Sequence, residues 1–369
     1  MSLSIYVTGD YFAHWGGGSQ VCRQECKALE NGVGGEVDIL DGEKIVPPYY
    51  RGLGIPYLQD YFASVKIDLL ERSGKGRLKH VHFYSNGFAE AVRTAQRLGA
   101  IVTYTSPSHD RRESMEEYKR LSGWEYQGFP YPHIFDDALF TQHSLGLKLA
   151  DMVIVPSTMS ANFLKDYGVH HLTVIPHGIE LWPASVTPFP EEFTVAFLGS
   201  PGPDKGVAYL VEAWGRLGYE DATLILAGPG TEGLDRFIRQ RIDRGKVVLM
   251  GAISHPEVVY NQCTVYCAPS VSEGFGITVP EAMAYGRPVV VADGAGAADV
   301  VSDRVDGFVV PKRDIDSLAE RIDWLKQNPD KVEEMGKKAR QTASDYRWEV
   351  IRTRYIDLFK YLHGGRDGT

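Results

Sequence analysis

Short apolar runs alternate with amphipathic stretches along the first half of the chain. The apolar runs are rich in β-branched and aromatic residues, which is typical of buried strands. Helical periodicity separates most of them and is clearest at 19–32, 89–98 and 158–167. The predicted strands are 4–10, 35–40, 80–84, 100–105, 152–156 and 172–176. This alternation predicts a parallel sheet covered by helices on both faces.

The same pattern restarts after a proline-punctuated stretch at 181–192, which we interpret as a linker. The second series of predicted strands is 193–199, 223–227, 246–250, 264–268 and 288–292. We therefore predict an α/β protein of two doubly wound, Rossmann-like domains, 1–180 and 181–347, facing a central cleft. The last amphipathic segment, 348–369, is expected to cross back onto the first domain. Ligands bind at the carboxyl ends of the strands in such sheets.

Composition narrows the class of protein. A length of 369 residues exceeds what one hydrophobic core usually serves, and 43% hydrophobic with 24% charged residues is typical of globular proteins. The net charge of −9 argues against a general nucleic-acid binder. No apolar run reaches the ~20 residues of a membrane span, and MSLSIYVTGDYF lacks the pattern of a secretory signal. We expect a cytoplasmic protein.

Three sequence patterns could indicate a cofactor or metal site, but each is better explained as an ordinary structural feature. AGPGTEG (227–233) matches a dinucleotide-binding motif, but the next strand is not followed by the acid that would hold a ribose. Asp314 and Asp316 are typical of a helix start. The four cysteines, in two pairs, are expected to be reduced and buried rather than to hold a metal. The pairs are Cys22/Cys26 and Cys263/Cys267.

The strongest candidate chemistry lies in SEGFGITVPE, which places Glu273 and Glu281 eight positions apart. A predicted strand delivers Glu273 to the carboxyl edge of the sheet, and Gly274 and Gly276 let backbone approach a ligand. Pro280 suits a first helical turn, where backbone N–H groups favour a phosphate. The alternative is a pair of ordinary acids, one solvated in a loop and one complementing the helix dipole.

A second element, FLGSPGPDKG, follows the first strand of the second domain. It presents Lys205 beside Gly206 at a predicted helix start. A lysine with backbone amides suits a diphosphate, whose leaving-group charge must be neutralised.

These motifs, with VPSTMSANFLKDYGVHHLTVIPHGIE, resemble the GT-B glycosyltransferases of the GT4 family. The resemblance is close over 151–180 and 193–311 and weaker over 1–110. It implies a retaining transfer from a nucleotide-diphosphate sugar to a hydroxyl acceptor, with no metal ion or other cofactor. Glu273 would bind sugar hydroxyls and Glu281 the ribose diol. The family commonly has an arginine at the position of Ser200, which leaves Lys205 as the strong cation.

In the first domain, the turn WGGGSQ and His109 match the family's N-terminal loop and sugar-site histidine. The aromatic stretch 123–135 is either an acceptor wall or a packed lid. The basic loop at 72–80 is either solvated or a contact with an anionic membrane surface or a phosphorylated acceptor. The resemblance assigns catalytic roles to His109, Glu273 and Lys205, and donor binding to Gly17, Gly18, Ser200, Lys205, Gly274, Phe275, Gly276, Ile277 and Glu281.

Other activities on this fold stay open. A sugar-nucleotide epimerase would consume donor without acceptor, and a phosphorylase would depend on phosphate. A non-catalytic partner would bind donor without turnover. Same-face attack, with the leaving diphosphate accepting the acceptor's proton, is the expected transfer chemistry. The motifs do not distinguish UDP, GDP and ADP, and they give neither the acceptor nor the oligomeric state.

Overall fold

The computed structural model describes residues 2–8, 17–45, 56–74, 76–84, 88–107, 111–122, 144–243 and 245–364. The chain forms two compact units. One takes its residues from Met1–Ser108, Asp136–Gly178 and Trp348–Thr369, and the other takes them from His109–Phe135 and Ile179–Arg347.

The first unit contains a six-stranded sheet in the order β2-β1-β3-β4-β5-β6, with every described pair parallel. Its strands are β1 (Ser2–Thr8), β2 (Glu36–Leu40), β3 (Arg77–Tyr84), β4 (Ile101–Thr105), β5 (Met152–Val155) and β6 (Leu172–Val174). The five residues of β4 are all buried, as expected of a central strand covered on both faces.

Helices flank this sheet. They are α1 (Gly17–Val33), α2 (Gly42–Ile45), α3 (Pro56–Arg72), α4 (Ala89–Arg97), α6 (144–149), α7 (Thr158–Asp166) and α14 (Trp348–Gly364). The last helix packs against α1 so closely that a Cβ on Gly32 would lie 2.9 Å from the Phe359 Cβ. The absence of a side chain at Gly32 therefore sets the spacing of the two helices.

The second unit contains another six-stranded parallel sheet, in the order β12-β11-β10-β7-β8-β9. Its strands are β7 (Phe193–Leu198), β8 (Ala222–Ala227), β9 (Lys246–Gly251), β10 (Val265–Ala268), β11 (Val289–Ala292) and β12 (Gly307–Val310). The predicted fold class is confirmed, and every predicted strand is present. The sequence analysis missed β12, a four-residue edge strand.

The helices of the second unit are α5 (Arg111–Ser122), α8 (Val207–Leu217), α9 (Asp235–Arg239), α10 (Glu257–Gln262), α11 (Thr278–Ala284), α12 (Ile315–Gln327) and α13 (Pro329–Ala343). Although α5 precedes β5 in the chain, it belongs to this unit. Its fully buried Glu117 accepts hydrogen bonds from the Tyr209 hydroxyl and from Arg313 Nε, the latter at 2.7 Å. A buried carboxylate needs such partners, and they fix α5 in place.

The patterns set aside in the sequence have structural explanations. A Cβ on Gly228, within AGPGTEG, would lie 2.2 Å from the Gly199 carbonyl oxygen, so glycine there serves a close backbone approach. The Asp314 side chain accepts a hydrogen bond from the Ser317 N–H at 2.9 Å and caps α12. All four cysteines are buried, and none of them forms a disulfide. Across the described ranges, no helix has the length and apolar character needed to cross a membrane.

Candidate functional site

The second sheet has its topological switch point between β7 and β10, where the strand order reverses. The loops that follow these two strands leave the same carboxyl edge in diverging directions, which creates the crevice that ligands use in open α/β sheets. The first loop carries Lys205 and the second carries Glu273. Both predicted residues therefore lie at the place where this architecture binds ligands.

The loop after β7 is fixed against the loop after β10 by its backbone. Gly206 has a φ of +65°, and a Cβ there would lie 2.0 Å from the Pro269 carbonyl oxygen, so only glycine fits. The Asp204 carbonyl accepts hydrogen bonds from the N–H groups of Val271 at 2.7 Å and Ser272 at 3.2 Å. These contacts set the position of Lys205 relative to Glu273.

Lys205 and Glu273 form a direct ion pair, between Nζ and Oε1. The Ser270 hydroxyl donates to the other carboxylate oxygen, Oε2, at 2.7 Å. The Lys205 side chain is 27% exposed and the Glu273 side chain 20% exposed, so the pair is held firmly but remains open to solvent. A ligand with hydroxyl groups and phosphates can reach both charges.

Gly276 allows this loop to fold back on its own carboxylate. Its φ is +93°, and a Cβ there would lie 3.3 Å from Glu273 Cδ. The predicted donor-loop residues Gly274, Phe275 and Gly276 are buried, and Ile277 directly precedes α11. The backbone of this segment therefore passes beside Glu273.

Glu281 lies in the first turn of α11 and is 7% exposed. The Tyr260 hydroxyl donates to its Oε2 at 2.7 Å. Burial raises the pKa of Glu281 to about 7, an effect that the Tyr260 hydrogen bond only partly offsets and that the charges of Glu180 and Glu257 increase. Near neutral pH this carboxyl is poised between a neutral and an ionised form.

Tyr260 in turn accepts a hydrogen bond from Arg287, a residue that the sequence analysis did not single out. Arg287 is fully buried, its Nε donates to the Tyr260 carbonyl at 2.8 Å, and its Nη2 donates to Thr187 Oγ1 at 2.6 Å. Ser270 was missed as well, although its position three residues before Glu273 in the same loop was a usable signal. The contacts of Tyr260 and Arg287 form only when separate segments of the chain pack together. No local sequence pattern therefore indicates them.

The other predicted residues fall in different places. Ser200 is half-buried in the loop after β7. Gly17 and Gly18 form the start of α1. His109, and the aromatic stretch 123–135, lie outside the described residues, so their roles stay predictions. In the basic loop, β3 begins at Arg77, and His80 is fully buried rather than solvated.

Comparison with solved structures shows the fold class. The chain is similar to sucrose-phosphate synthase of Thermosynechococcus elongatus, with a TM-score of 0.72, 20% identity and coverage of 98% of this chain and 99% of that one. It is also similar to Anabaena HepE, solved in complex with UDP, with a TM-score of 0.68, 16% identity and coverage of 97% and 100%. These neighbours are GT-B proteins, with two Rossmann-like domains.

Family comparison then identifies the chain. Residues 15–182 match the model of Glycosyltransferase Family 4, and residues 179–342 match that of Glycosyl transferases group 1. The chain belongs to the group 1 glycosyltransferases with the GT-B fold, which confirms the resemblance seen in the sequence. It is 29% identical over 187 residues to the capsular polysaccharide biosynthesis glycosyltransferase CapM of Staphylococcus aureus. That match spans 47% of this chain and about half, 48%, of the relative.

Proposed function

We propose that this protein transfers a sugar from a nucleotide-diphosphate sugar to a hydroxyl acceptor, with retention of anomeric configuration. The observation that supports it best is the Lys205–Glu273 ion pair at the switch point of the second sheet. Glu281 adds a second carboxylate within the turn that follows. A cation can pair with the phosphates of a nucleotide sugar, and two carboxylates can accept hydrogen bonds from its hydroxyl groups.

Glu281 binds the ribose diol in this proposal. Its hydrogen bond with the Tyr260 hydroxyl occupies one oxygen and holds the carboxyl in a fixed orientation. The ribose hydroxyls donate to the carboxylate, which makes the ionised form the better acceptor. Because the pKa is raised to about 7, donor binding should favour pH values above neutrality.

Lys205 and Glu273 exchange partners when the donor binds. Glu273 accepts hydrogen bonds from sugar hydroxyls, while Lys205 turns to the diphosphate and neutralises the charge that develops as it leaves. Without donor, the two side chains satisfy each other, so neither charge is left desolvated and unpaired. The backbone of Phe275, Gly276 and Ile277 passes beside the phosphates.

Transfer proceeds by attack of the acceptor hydroxyl on the same face that the diphosphate leaves. The new glycosidic bond forms at the anomeric carbon as its bond to the phosphate oxygen breaks, and a diphosphate oxygen takes the acceptor's proton. His109 and the glycines Gly17 and Gly18 act at the sugar and phosphate in this proposal, as the family resemblance implies. Lys205 supplies charge neutralisation, so the reaction needs no metal ion.

The relatives suggest which substrates to test first. HepE was solved with UDP, and CapM is named for capsular polysaccharide biosynthesis. We therefore propose a UDP-sugar as donor and a saccharide hydroxyl as acceptor.

Thermal stability of the purified protein tests donor binding. UDP, GDP, ADP and their sugar conjugates are added separately, with and without EDTA. One nucleotide family should raise Tm, and EDTA should not change the effect. Glu281→Gln should reduce the shift, while Glu320→Gln, a change at an exposed carboxylate on α12, should not. No shift with any nucleotide at millimolar concentration would contradict the proposal.

A further inference from the structure

A cavity of about 320 Å³ lies at the β12 edge of the second sheet. Residues of β12, α12 and α13 line it, together with the loop that precedes β12. The volume is within the range of small-molecule sites. No residue assigned to the donor site lines this cavity.

The cavity and the donor site open at opposite ends of the sheet. Arg304 and Val305 of the cavity directly precede β12, whereas Lys205 and Glu273 follow β7 and β10. The strands are parallel, so the first pair of residues is at the amino edge and the second pair at the carboxyl edge. A ligand in this cavity would therefore be distinct from the donor.

The floor of the cavity is aromatic. The Phe308 ring is buried, and the Trp324 ring packs edge-on to it with centroids 5.3 Å apart. The Arg321 guanidinium lies 5.2 Å from the centre of the Phe308 ring, and its side chain is only 23% exposed. It pairs at 3.3 Å with Glu320, whose side chain is 67% exposed, so an anionic ligand can compete for it. An arginine held against an aromatic ring is a pre-oriented, planar donor for phosphate.

The rim is cationic. Arg304, Lys331 and Lys338 join Arg321 around the cavity, and the only acid among the lining residues is Glu334. Glu334 pairs with Lys331 at 2.8 Å, but both side chains are more than half exposed. Exposed pairs of this kind are weak, so an anionic ligand can compete for the lysine.

The backbone of Arg304 has an unusual conformation. Its φ of +65° is in the left-handed region, where glycine would be less strained. Its N–H donates to the Gly307 carbonyl at 2.8 Å, which fixes the turn into β12. The nearest acid in an ion pair with it is Asp303, at 3.6 Å and about half exposed. The Arg304 side chain is itself 69% exposed, so its guanidinium is accessible to a phosphate at the rim.

We propose that this cavity binds a phosphomonoester carried on a group with an apolar face, such as a sugar phosphate. The phosphate would lie between Arg304, Arg321 and Lys338, and the apolar face would stack on Trp324. The inference does not rest on the proposed transferase function.

The test uses glucose 6-phosphate as the probe and the indole N–H of Trp324 as the reporter. The chain has 6 tryptophans, and the Trp324 resonance is assigned by its loss in Trp324→Phe. We expect a saturable shift of this resonance at millimolar probe that weakens as salt is added. Glucose at the same concentration should give a much smaller shift. An unmoved Trp324 resonance would exclude glucose 6-phosphate as a ligand of this cavity. It would overturn the proposal unless a lipid phosphate binds there.

Adjacent lysines provide a matched control. Lys338→Ala should weaken binding about tenfold, the effect of losing one charged hydrogen bond. Lys337→Ala should change it less than about twofold, because Lys337 is 81% exposed and does not line the cavity. Equal effects of the two substitutions would overturn the site. Glu281→Gln should leave the Trp324 shift unchanged, so failure here is distinguishable from failure of the donor proposal.

Arg304→Gly separates binding from folding. It removes a cation and also the left-handed strain, so it should weaken the probe about tenfold while raising Tm by about 2 °C. Weaker binding with a lower Tm would indicate a structural role for the arginine and contradict the proposal.

The phosphomonoester could be a free metabolite or a lipid headgroup. Co-sedimentation with phosphatidylcholine vesicles, with and without phosphatidic acid, distinguishes the two sources. Binding that requires phosphatidic acid and is lost in Lys338→Ala, but not in Lys337→Ala, would assign the headgroup. A response to glucose 6-phosphate alone would assign the free metabolite, and no response to either overturns the inference.

Discussion

Each unit of the molecule contains a glutamate that contacts a cationic or titratable side chain and a hydroxyl group. The two glutamates differ in their exposure to solvent. Glu25 of α1 accepts from the Tyr6 hydroxyl at 2.6 Å and lies 3.3 Å from His82 Nε2, with none of its side chain exposed. Glu273 pairs with Lys205 and accepts from Ser270, with 20% of its side chain exposed. Similar residue types thus serve a closed network in one unit and an open site in the other.

The network around Glu25 continues into the sheet. His82 Nδ1 lies 2.7 Å from Thr103 Oγ1, which in turn lies 2.7 Å from His80 Nε2. Burial alone would raise the pKa of Glu25, but the hydrogen bond and charge of His82 outweigh it and lower the pKa. Tyr6, His80, His82 and Thr103 all belong to the same unit as Glu25. Solvent access at a switch point, more than residue type, distinguishes the proposed binding carboxylate, Glu273, from the structural one, Glu25.

The largest expected effect is on stability, from Glu25→Ala. The substitution removes the carboxylate that accepts from Tyr6 and faces His82 in a fully buried network, and it should lower the free energy of unfolding by about 3–5 kcal/mol. Urea denaturation measures it. Glu30→Ala, at an exposed position of the same helix, is the matched control and should change stability by less than about 0.5 kcal/mol. A stable Glu25→Ala protein would show that the closed network does not support the fold.

Glu273→Ala should act mainly on the rate of sugar transfer, whereas Glu25→Ala acts on stability. Loss of contacts with the sugar should lower the rate of transfer about 100-fold or more, while nucleotide affinity changes less than about threefold because Glu281 and Lys205 remain. Sugar-transfer assays and calorimetric titration with the nucleotide measure the two quantities. Transfer at an unchanged rate would remove Glu273 from the reaction and erase the contrast with Glu25.

The smallest expected effects come from Glu281→Gln. Glutamine keeps an acceptor for Tyr260 but not the charge, so nucleotide affinity should fall about tenfold at pH 8. Wild-type affinity should weaken as the pH falls through about 7, the raised pKa of Glu281, and the variant should lack this dependence. Calorimetric titrations at several pH values measure both. The same affinity profile in both proteins would contradict a role for Glu281 in binding the ribose.

The raised pKa of Glu281 also determines how the free energy of unfolding changes with pH. The folded state binds the Glu281 proton more tightly than the unfolded chain, so this group's contribution falls as pH rises from about 4.5 to about 7. Without ligand at pH 8, Glu281→Gln should therefore be more stable than wild type, by about 1–2 kcal/mol. Greater stability of wild type at that pH would mean that Glu281 is not desolvated.

The strands were predictable because buried parallel strands form apolar runs, and the switch-point loops follow from their order. The joint position of Lys205 and Glu273 was predicted in this way, although their direct pairing was not. The place of α5 could not be predicted, because it depends on ion pairs between Arg313 and residues about 200 positions earlier, Glu113 and Glu117. The contact of Tyr260 with Glu281 likewise appears only when α10 and α11 are packed.

A crystal structure with the nucleotide sugar that most raises Tm would test the central claim most directly. The account predicts ribose hydroxyls within hydrogen-bond distance of Glu281, and Lys205 moved from Glu273 to the diphosphate. It also predicts sugar hydroxyls on the Glu273 carboxylate. A nucleotide bound away from the loops after β7 and β10, or an intact Lys205–Glu273 pair beside a bound donor, would contradict it.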